Sequence, residues 1–213
     1  MESQDLQKEF NRLYRSTTRR IDEVDVPAMR FLMVDGSCNG NNYTDFRNGI
    51  EGLFSLSQAM KTAIARIHIG FEYTVMPLEC LWWVRGTGEY TPDNREEWKW
   101  ILMMVQPNYV TSALAREVLG SMDRDRFLAG ISKVRFGLFA EGLAVQTLHN
   151  GRRADKWSTI NRLRAFIERK GYRVRGRHHE IYISDPRTLS AEKMKMIIRL
   201  PIRFPDHDER TRQ

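Results

Sequence analysis

Two glutamates stand where the surrounding residues leave little room for one. In Pro77-Leu78-Glu79-Cys80-Leu81-Trp82 and in His178-His179-Glu180-Ile181-Tyr182-Ile183, a carboxylate interrupts an apolar, aromatic run that otherwise reads as a strand. Glutamate is depleted in strands and costly to bury unless it is paired or functional, so its position is information. The bland reading is a solvated outer face. A carboxylate walled in by rings can instead act as a general base on water, because desolvation raises its pKa. It can also act as the counter-ion of a cationic aromatic ligand. Period two places Glu180, Tyr182 and Ser184 on one face of their strand and Ile181 and Ile183 on the other, where the isoleucines are expected to pack on helices. By the same parity Tyr73, Glu79 and Trp83 join Glu180 from the earlier strand if Pro77 does not shift the register. Trp98 and Trp100 are in phase with one another. Such a set describes a concave pocket for a flat, aromatic or cationic small molecule.

These residues need elements to position them. Leu6, Phe10, Leu13 and Tyr14 mark one face of a leader helix that ends at an Arg-rich stretch and Pro27. Met29 to Val34 reads as a strand closed by Asp35-Gly36, and Phe46, Ile50, Leu53, Phe54, Met60, Ile64 and Ile67 mark one face of a long helix stopped by Gly70. Phe71 to Val84 reads as a strand bulged at Pro77, turning at Arg85-Gly86, and Trp98 to Val105 as the strand returning beside it. Short helical patterns at Val110, Leu114, Val118 and at Phe127, Leu128, Ile131 look like a connector. The first arrangement then recurs: strand Gly142 to Leu148, turn Asn150-Gly151, helix Trp157 to Lys170, a stop at Gly171, and strand Arg175 to Ile183. A last helix is expected from Ser190, as N-cap, to Ile198. The order is β-α-β-β twice, an α+β fold. Gly70 and Gly171 lie 101 residues apart, an offset that sets Glu79 on Glu180.

Composition removes several function classes. With 41% hydrophobic and 29% charged residues in 213, the chain has the makeup of a folded protein with a sizeable core. No apolar run approaches the roughly 20 residues of a membrane span, and Met1 to Arg20 is polar, so a cytoplasmic protein is expected. Cys38 and Cys80 form no disulfide or zinc pattern. Among His68, His149, His178, His179 and His207 there is no HExxH, and the adjacent pair His178 and His179 would point to opposite faces of a strand. Neither a metal nor any other cofactor is expected. The formal charge of +7 is concentrated from Arg152 onward, where 17 Lys and Arg face 8 Asp and Glu. That excess is scattered through amphipathic segments without a recognition helix or a zinc finger, so a solvated basic face is favoured over nucleic-acid binding.

Four segments in order resemble the GyrI-like small-molecule-binding family, especially its free-standing bacterial branch. They are Val24-Asp25-Val26-Pro27 with Met29-Arg30-Phe31-Leu32-Met33-Val34-Asp35-Gly36; Met76-Pro77-Leu78-Glu79-Cys80-Leu81-Trp82-Trp83; Glu97-Trp98-Lys99-Trp100; and His179-Glu180-Ile181-Tyr182-Ile183-Ser184-Asp185-Pro186-Arg187. The resemblance implies two βαββ units related by a pseudo-twofold with a ligand cleft between them, and Glu180 as the central pocket carboxylate. The boundaries expected are a leader helix over 1–28, a GyrI-like domain over 29–205 and a flexible tail over 206–213. Within the domain, repeat one covers about 29–107, a helical connector 108–134 and repeat two about 135–205. In drug-sensing members fused to DNA-binding domains that glutamate meets cationic aromatic drugs; this chain shows no helix-turn-helix segment. The chain departs from the family after His149, where Asn150-Gly151-Arg152-Arg153 suggests a more basic rim. It departs again at Cys80, which stands where relatives have glycine.

Two functions follow as expectations. The resemblance implies a hydrolase that opens the electrophilic cyclopropane of DNA-alkylating spirocyclopropane antibiotics of the yatakemycin type by adding water, giving self-protection or drug resistance. In that enzyme Glu180 takes the proton of the water and Tyr73 donates to the conjugated carbonyl. Glu79 orients the water or raises the pKa of Glu180. Trp83, Trp98, Trp100, Tyr182 and His149 line the substrate. The alternative is a non-catalytic protein that sequesters or senses flat aromatic or cationic drugs, with Glu180 as counter-ion. A third reading, an interaction module acting on DNA gyrase, has no supporting patch. The partner expected is a flat aromatic small molecule, with no membrane, and the protein is expected as a monomer or homodimer.

Overall fold

The computed structural model describes residues 10–38, 43–67, 74–86, 90–91, 95–122, 130–188 and 192–205. Along the chain these form α1 (Asn11–Tyr14), β1 (Asp22–Ser37), α2 (Thr44–Ile67), β2 (Leu78–Val84), β3 (Trp98–Gln106) and α3 (Ser112–Ser121). They continue as β4 (Arg135–Gly151), α4 (Lys156–Arg169), β5 (Arg173–Val174), β6 (His178–Tyr182) and β7 (Met194–Arg203). The strands run in the order β4-β1-β3-β2-β6-β7, and β7 also pairs with β4, so the sheet closes on itself. Every pairing is antiparallel. β5 adds to β7 beyond the end of β6.

Closure gives each strand an inside and an outside, and along β2, β3, β6 and β7 both are buried nearly throughout. Phe31, Met33, Leu81, Met103, Ile181 and Ile197 fill the interior, with Leu13 and Tyr14 of α1 packed among them. Leu32, Val34, Trp82, Trp100, Leu102, Tyr182, Met196 and Ile198 face outward into a second core under the helices. α2 lies across β1 and β3, and α4 across β4 and β7. The β2–β6 seam lies in the sheet between these two covered pairs. A closed sheet leaves only short protected edges, and its long strands bridge neighbours in turn. β4 pairs with β1 through residues 135–146 and with β7 through residues 144–151.

Several sequence expectations are revised. The leader helix is confined to Asn11–Tyr14 among the described residues, and Asp22 to Ala28 belong to β1, whose Val24 and Val26 point into the interior. Asn150-Gly151 is not a turn but the end of β4, paired with Lys195 and Met194. The expected last helix is the strand β7. Its apolar run, buried on both faces, has no period that separates strand from helix over so short a span. The connector forms α3, capped by Thr111 Oγ1 accepting from the Leu114 N–H at 3.2 Å; Phe127 and Leu128 lie outside the described residues, as do Leu6, Gly70, Phe71 and Ser190. The stop at Gly171 is a left-handed residue, φ +72°, closing α4 with its N–H on Glu168 O and the Tyr172 N–H on Ile167 O.

Candidate functional site

The register across the seam decides where the two glutamates go. Cys80 is opposite Glu180, and Glu79 is opposite Ile181. Cross-strand partners share a face, so Glu180 is on the helix side and Glu79 inside the barrel. The expectation that both carboxylates share one pocket is therefore corrected. The 101-residue offset is out of register, because only an even offset carries a position of β2 onto the same face of β6. Parity correctly separates Tyr182 from Ile181 but not which face meets the helices: Tyr182 lies under them, and Ile181 fills the barrel.

On the helix side, Glu180 is fully buried and hydrogen-bonded at both oxygens. Its Oε1 accepts from Lys156 Nζ at 2.6 Å and lies 3.1 Å from His178 Nε2. Its Oε2 accepts from Tyr182 OH at 2.7 Å and from Trp82 Nε1 at 3.2 Å. Lys156 begins α4, reaches down to the seam, and also donates to Tyr90 OH at 2.7 Å. The ring of Tyr90 stacks on His178 at 4.5 Å and on Trp157 at 5.1 Å. Trp98 packs edge-on to Trp82, with centroids 5.6 Å apart, and donates from Nε1 to Thr91 O. Burial lowers the pKa of His178 against the opposing pull of Glu180, so the imidazole is neutral. A neutral ring beside a carboxylate donates from Nε2, which leaves Nδ1 as an acceptor. That Nδ1 is buried and has no hydrogen-bond partner among the described residues.

Inside the barrel a second charged cluster surrounds Glu79. Tyr14 OH donates to Glu79 Oε1 at 2.6 Å, and His179 Nε2 lies 2.9 Å from Glu79 Oε2, an ion-pair distance without the alignment of a hydrogen bond. His179 Nδ1 meets Glu141 at 3.0 Å, and Arg199 holds Glu141 at 3.1 Å, Gln146 Oε1 at 2.9 Å and Leu13 O at 2.7 Å. Burial alone would neutralise these groups; the carboxylates of Glu141 and Glu79 instead hold His179 protonated, with its pKa raised to about 9. Glu141 is desolvated too, yet His179 and Arg199 pull its pKa down to about 2. Burial and the charge of Glu79 raise the Tyr14 hydroxyl well above its ordinary value. Two carboxylates and two cations balance, and the cluster ties α1 to the barrel.

The expected site residues thus separate. Glu180 and Tyr182 touch; Trp98 and Trp100 share their face, Trp100 packed edge-on against Phe46 of α2. His149 is on that face but two strands away, held by Thr159 Oγ1 and Arg152 O, each at 3.0 Å. Glu79 and Trp83 are on the barrel side, Trp83 under the Arg177 guanidinium at 3.8 Å. Tyr73 lies outside the described residues. The basic rim is reduced at Arg152, which pairs with Asp155 at 2.9 Å. Sequence reasoning missed Trp82, Lys156, Tyr90 and His178 as neighbours of Glu180. For His178 a signal existed, since it has the parity of Glu180 and Tyr182; Lys156 and Tyr90 arrive from distant segments and had none.

A closed antiparallel sheet flanked by two helices, with a buried carboxylate on the seam between them, defines the class of α+β domain. Residues 108–203 match the GyrI-like small molecule binding domain. A conserved protein from Listeria innocua is 30% identical with a TM-score of 0.82, the match covering 93% of this chain and 99% of that one. The chain belongs to the GyrI-like family. Two solved structures described as hydrolases from Listeria innocua are also similar. One is 29% identical, with a TM-score of 0.77 and coverage of 93% of this chain and 99% of that one. The other, encoded by lin2189, is 28% identical, with a TM-score of 0.81 and coverage of 95% and 100%. No curated protein matches the chain. Among the described residues, no helix is long and apolar enough to cross a membrane.

Proposed function

We propose that the protein is a hydrolase that adds water across the electrophilic cyclopropane of DNA-alkylating spirocyclopropane antibiotics, and so protects a bacterial cell from them. The Listeria innocua proteins described as hydrolases support the reaction class. The observation that carries the reading is the charge balance on the seam: Glu180 is buried among Trp82, Tyr90 and Trp98, and Lys156 already neutralises it at 2.6 Å. A cationic drug would set a second positive charge against one carboxylate in a poorly screened site, whereas a neutral flat ring enters without that penalty. This weighs against a sequestering protein that uses Glu180 as counter-ion.

In the proposed reaction the substrate stacks against the rings over the seam, which excludes bulk water and aligns the strained carbon with one retained water. That water attacks the cyclopropane carbon as the ring C–C bond breaks, its electron pair passing into the conjugated carbonyl. Glu180 is required for removal of the water's proton, and Tyr73 is the proposed donor to the carbonyl oxygen. The two β-α-β-β runs are read as a pseudo-twofold duplication within a domain over 29–205, with the substrate at the junction of the halves. The test is incubation of the protein with a spirocyclopropane alkylator of the yatakemycin type, followed by chromatography and mass. Product heavier by one water at catalytic protein levels is expected, with turnover abolished and binding retained in Glu180→Gln. Intact ligand bound one-to-one would instead establish sequestration.

A further inference from the structure

Glu180 has no evident room to accept another proton donor. A carboxylate offers about four lone-pair sites, and those of Glu180 face Lys156, His178, Tyr182 and Trp82. Within the same cluster one acceptor stays open among the described residues, Nδ1 of His178, on a side chain that is 2% exposed. A buried acceptor without a partner costs about 1–3 kcal/mol, so this nitrogen is where a water or a substrate donor belongs. We propose that His178 is the general base of the hydrolysis, taking the proton of the attacking water at Nδ1, while Glu180 is the positioning residue that fixes the imidazole through Nε2. The inference deepens the hydrolase reading and rests on it.

The step balances. One water O–H bond breaks and its proton goes to Nδ1; the oxygen bonds to the strained carbon; the ring C–C bond breaks and its electron pair ends on the carbonyl oxygen. The imidazolium then returns the proton to that oxygen, so the sum is addition of one water. While it exists, the imidazolium faces Glu180 through Nε2 and is matched by the negative charge developing on the substrate. This is the arrangement in which a carboxylate orients a histidine base without itself becoming protonated. The groups that bear on its titration are Glu180 on β6, Lys156 on α4 and His179 from the far side of β6. Tyr90 adds a phenol ring on the imidazole face.

Two measurements test the assignment. In long-range proton–nitrogen NMR of the whole protein, His178 should be neutral at pH 7, protonated at Nε2 and bare at Nδ1. An imidazolium at that pH, or the opposite tautomer, overturns the assignment whatever the substrate. In kinetics, His178→Gln retains an amide donor near the Nε2 position and so spares the bond to Glu180, but it carries no base. It should fold, bind the spirocyclopropane alkylator and lose about 10²–10⁴-fold in kcat/KM. His178→Ala should regain rate with added imidazole, which a structural role would not show. Glutamine at wild-type rate, or no rescue of a folded His178→Ala, removes His178 and leaves the hydrolase standing. A wild-type protein that consumes no substrate overturns both.

Discussion

Replacing Glu141 by glutamine should expose how much the barrel depends on its interior charges. Glu141 is buried between His179 at 3.0 Å and Arg199 at 3.1 Å. Glu141→Gln keeps the volume but leaves two cations facing the single carboxylate of Glu79. Removing one member of a buried ion pair costs about 3–5 kcal/mol. In a chain of this length that is a fall in Tm of about 6–20 °C. The pH dependence should change as well. His179 has a folded pKa of about 9 against an ordinary 6.5. Its contribution, on the order of 3 kcal/mol, is fully present below pH 6.5 and is lost as the pH rises through about 9. Glu141 has its folded pKa lowered from 4.5 to about 2, so its contribution is present above pH 4.5 and is lost as the pH falls toward 2. Urea unfolding of the wild type, followed by tryptophan fluorescence, should therefore show a stability plateau near neutrality that declines toward pH 10. In Glu141→Gln the plateau should be lower and the alkaline decline shallower, because the charge that held His179 protonated is gone. A wild-type midpoint unchanged between pH 6.5 and 10, or a variant within about 1 kcal/mol of wild type, would refute the paired-charge account.

Three further outcomes follow from single contacts. Lys156→Met removes the internal counter-ion of Glu180 and should raise affinity for a flat aromatic monocation such as ethidium at least about tenfold, a change of about 1.4 kcal/mol, in a fluorescence titration; equal affinities would show that Lys156 does not set the charge preference. Gly36→Ala should destabilise by about 1–3 kcal/mol, because a Cβ at Gly36 would fall within the buried indole of Trp100; an unchanged thermal midpoint and tryptophan spectrum would count against the packing described. Tyr14→Phe deletes the 2.6 Å hydrogen bond to Glu79 and should cost about 1.5–3 kcal/mol in urea unfolding, whereas no loss would mean that α1 is held by apolar contact alone.

What the sequence shows and hides about this site has a geometric cause. The long helix was legible because Phe46, Ile50, Leu53 and Met60 repeat at helical spacing and only one face is buried. β7 was not, because closure of the sheet buries both of its faces, and the two cations within its run, Lys195 and Arg199, stand four apart as they would on a helix. The same closure hides the meaning of strand parity. Alternation says that Glu180 and Ile181 part company, but it cannot say which of two buried faces lies under the helices. That depends on the pairing of Cys80 with Glu180, a fact of register between strands about a hundred residues apart. The expected pocket accordingly combined residues from two compartments: Glu180, Tyr182 and Trp98 from the seam, and Glu79 and Trp83 from the barrel. Each glutamate stands out in the sequence because a buried mid-strand carboxylate needs a partner, but the partners come from elsewhere. Glu79 has Tyr14 and His179, and Glu180 has Lys156, His178, Tyr182 and Trp82. Consecutive histidines pointing to opposite faces make the division plain. His179, among carboxylates, holds its proton and supports the fold, whereas His178, desolvated beside one neutralised carboxylate, is left neutral with a lone pair that meets no partner among the described residues. One strand thereby supplies a structural cation to the barrel and a base to the seam, and the chemistry available to each follows from the charges its own compartment encloses.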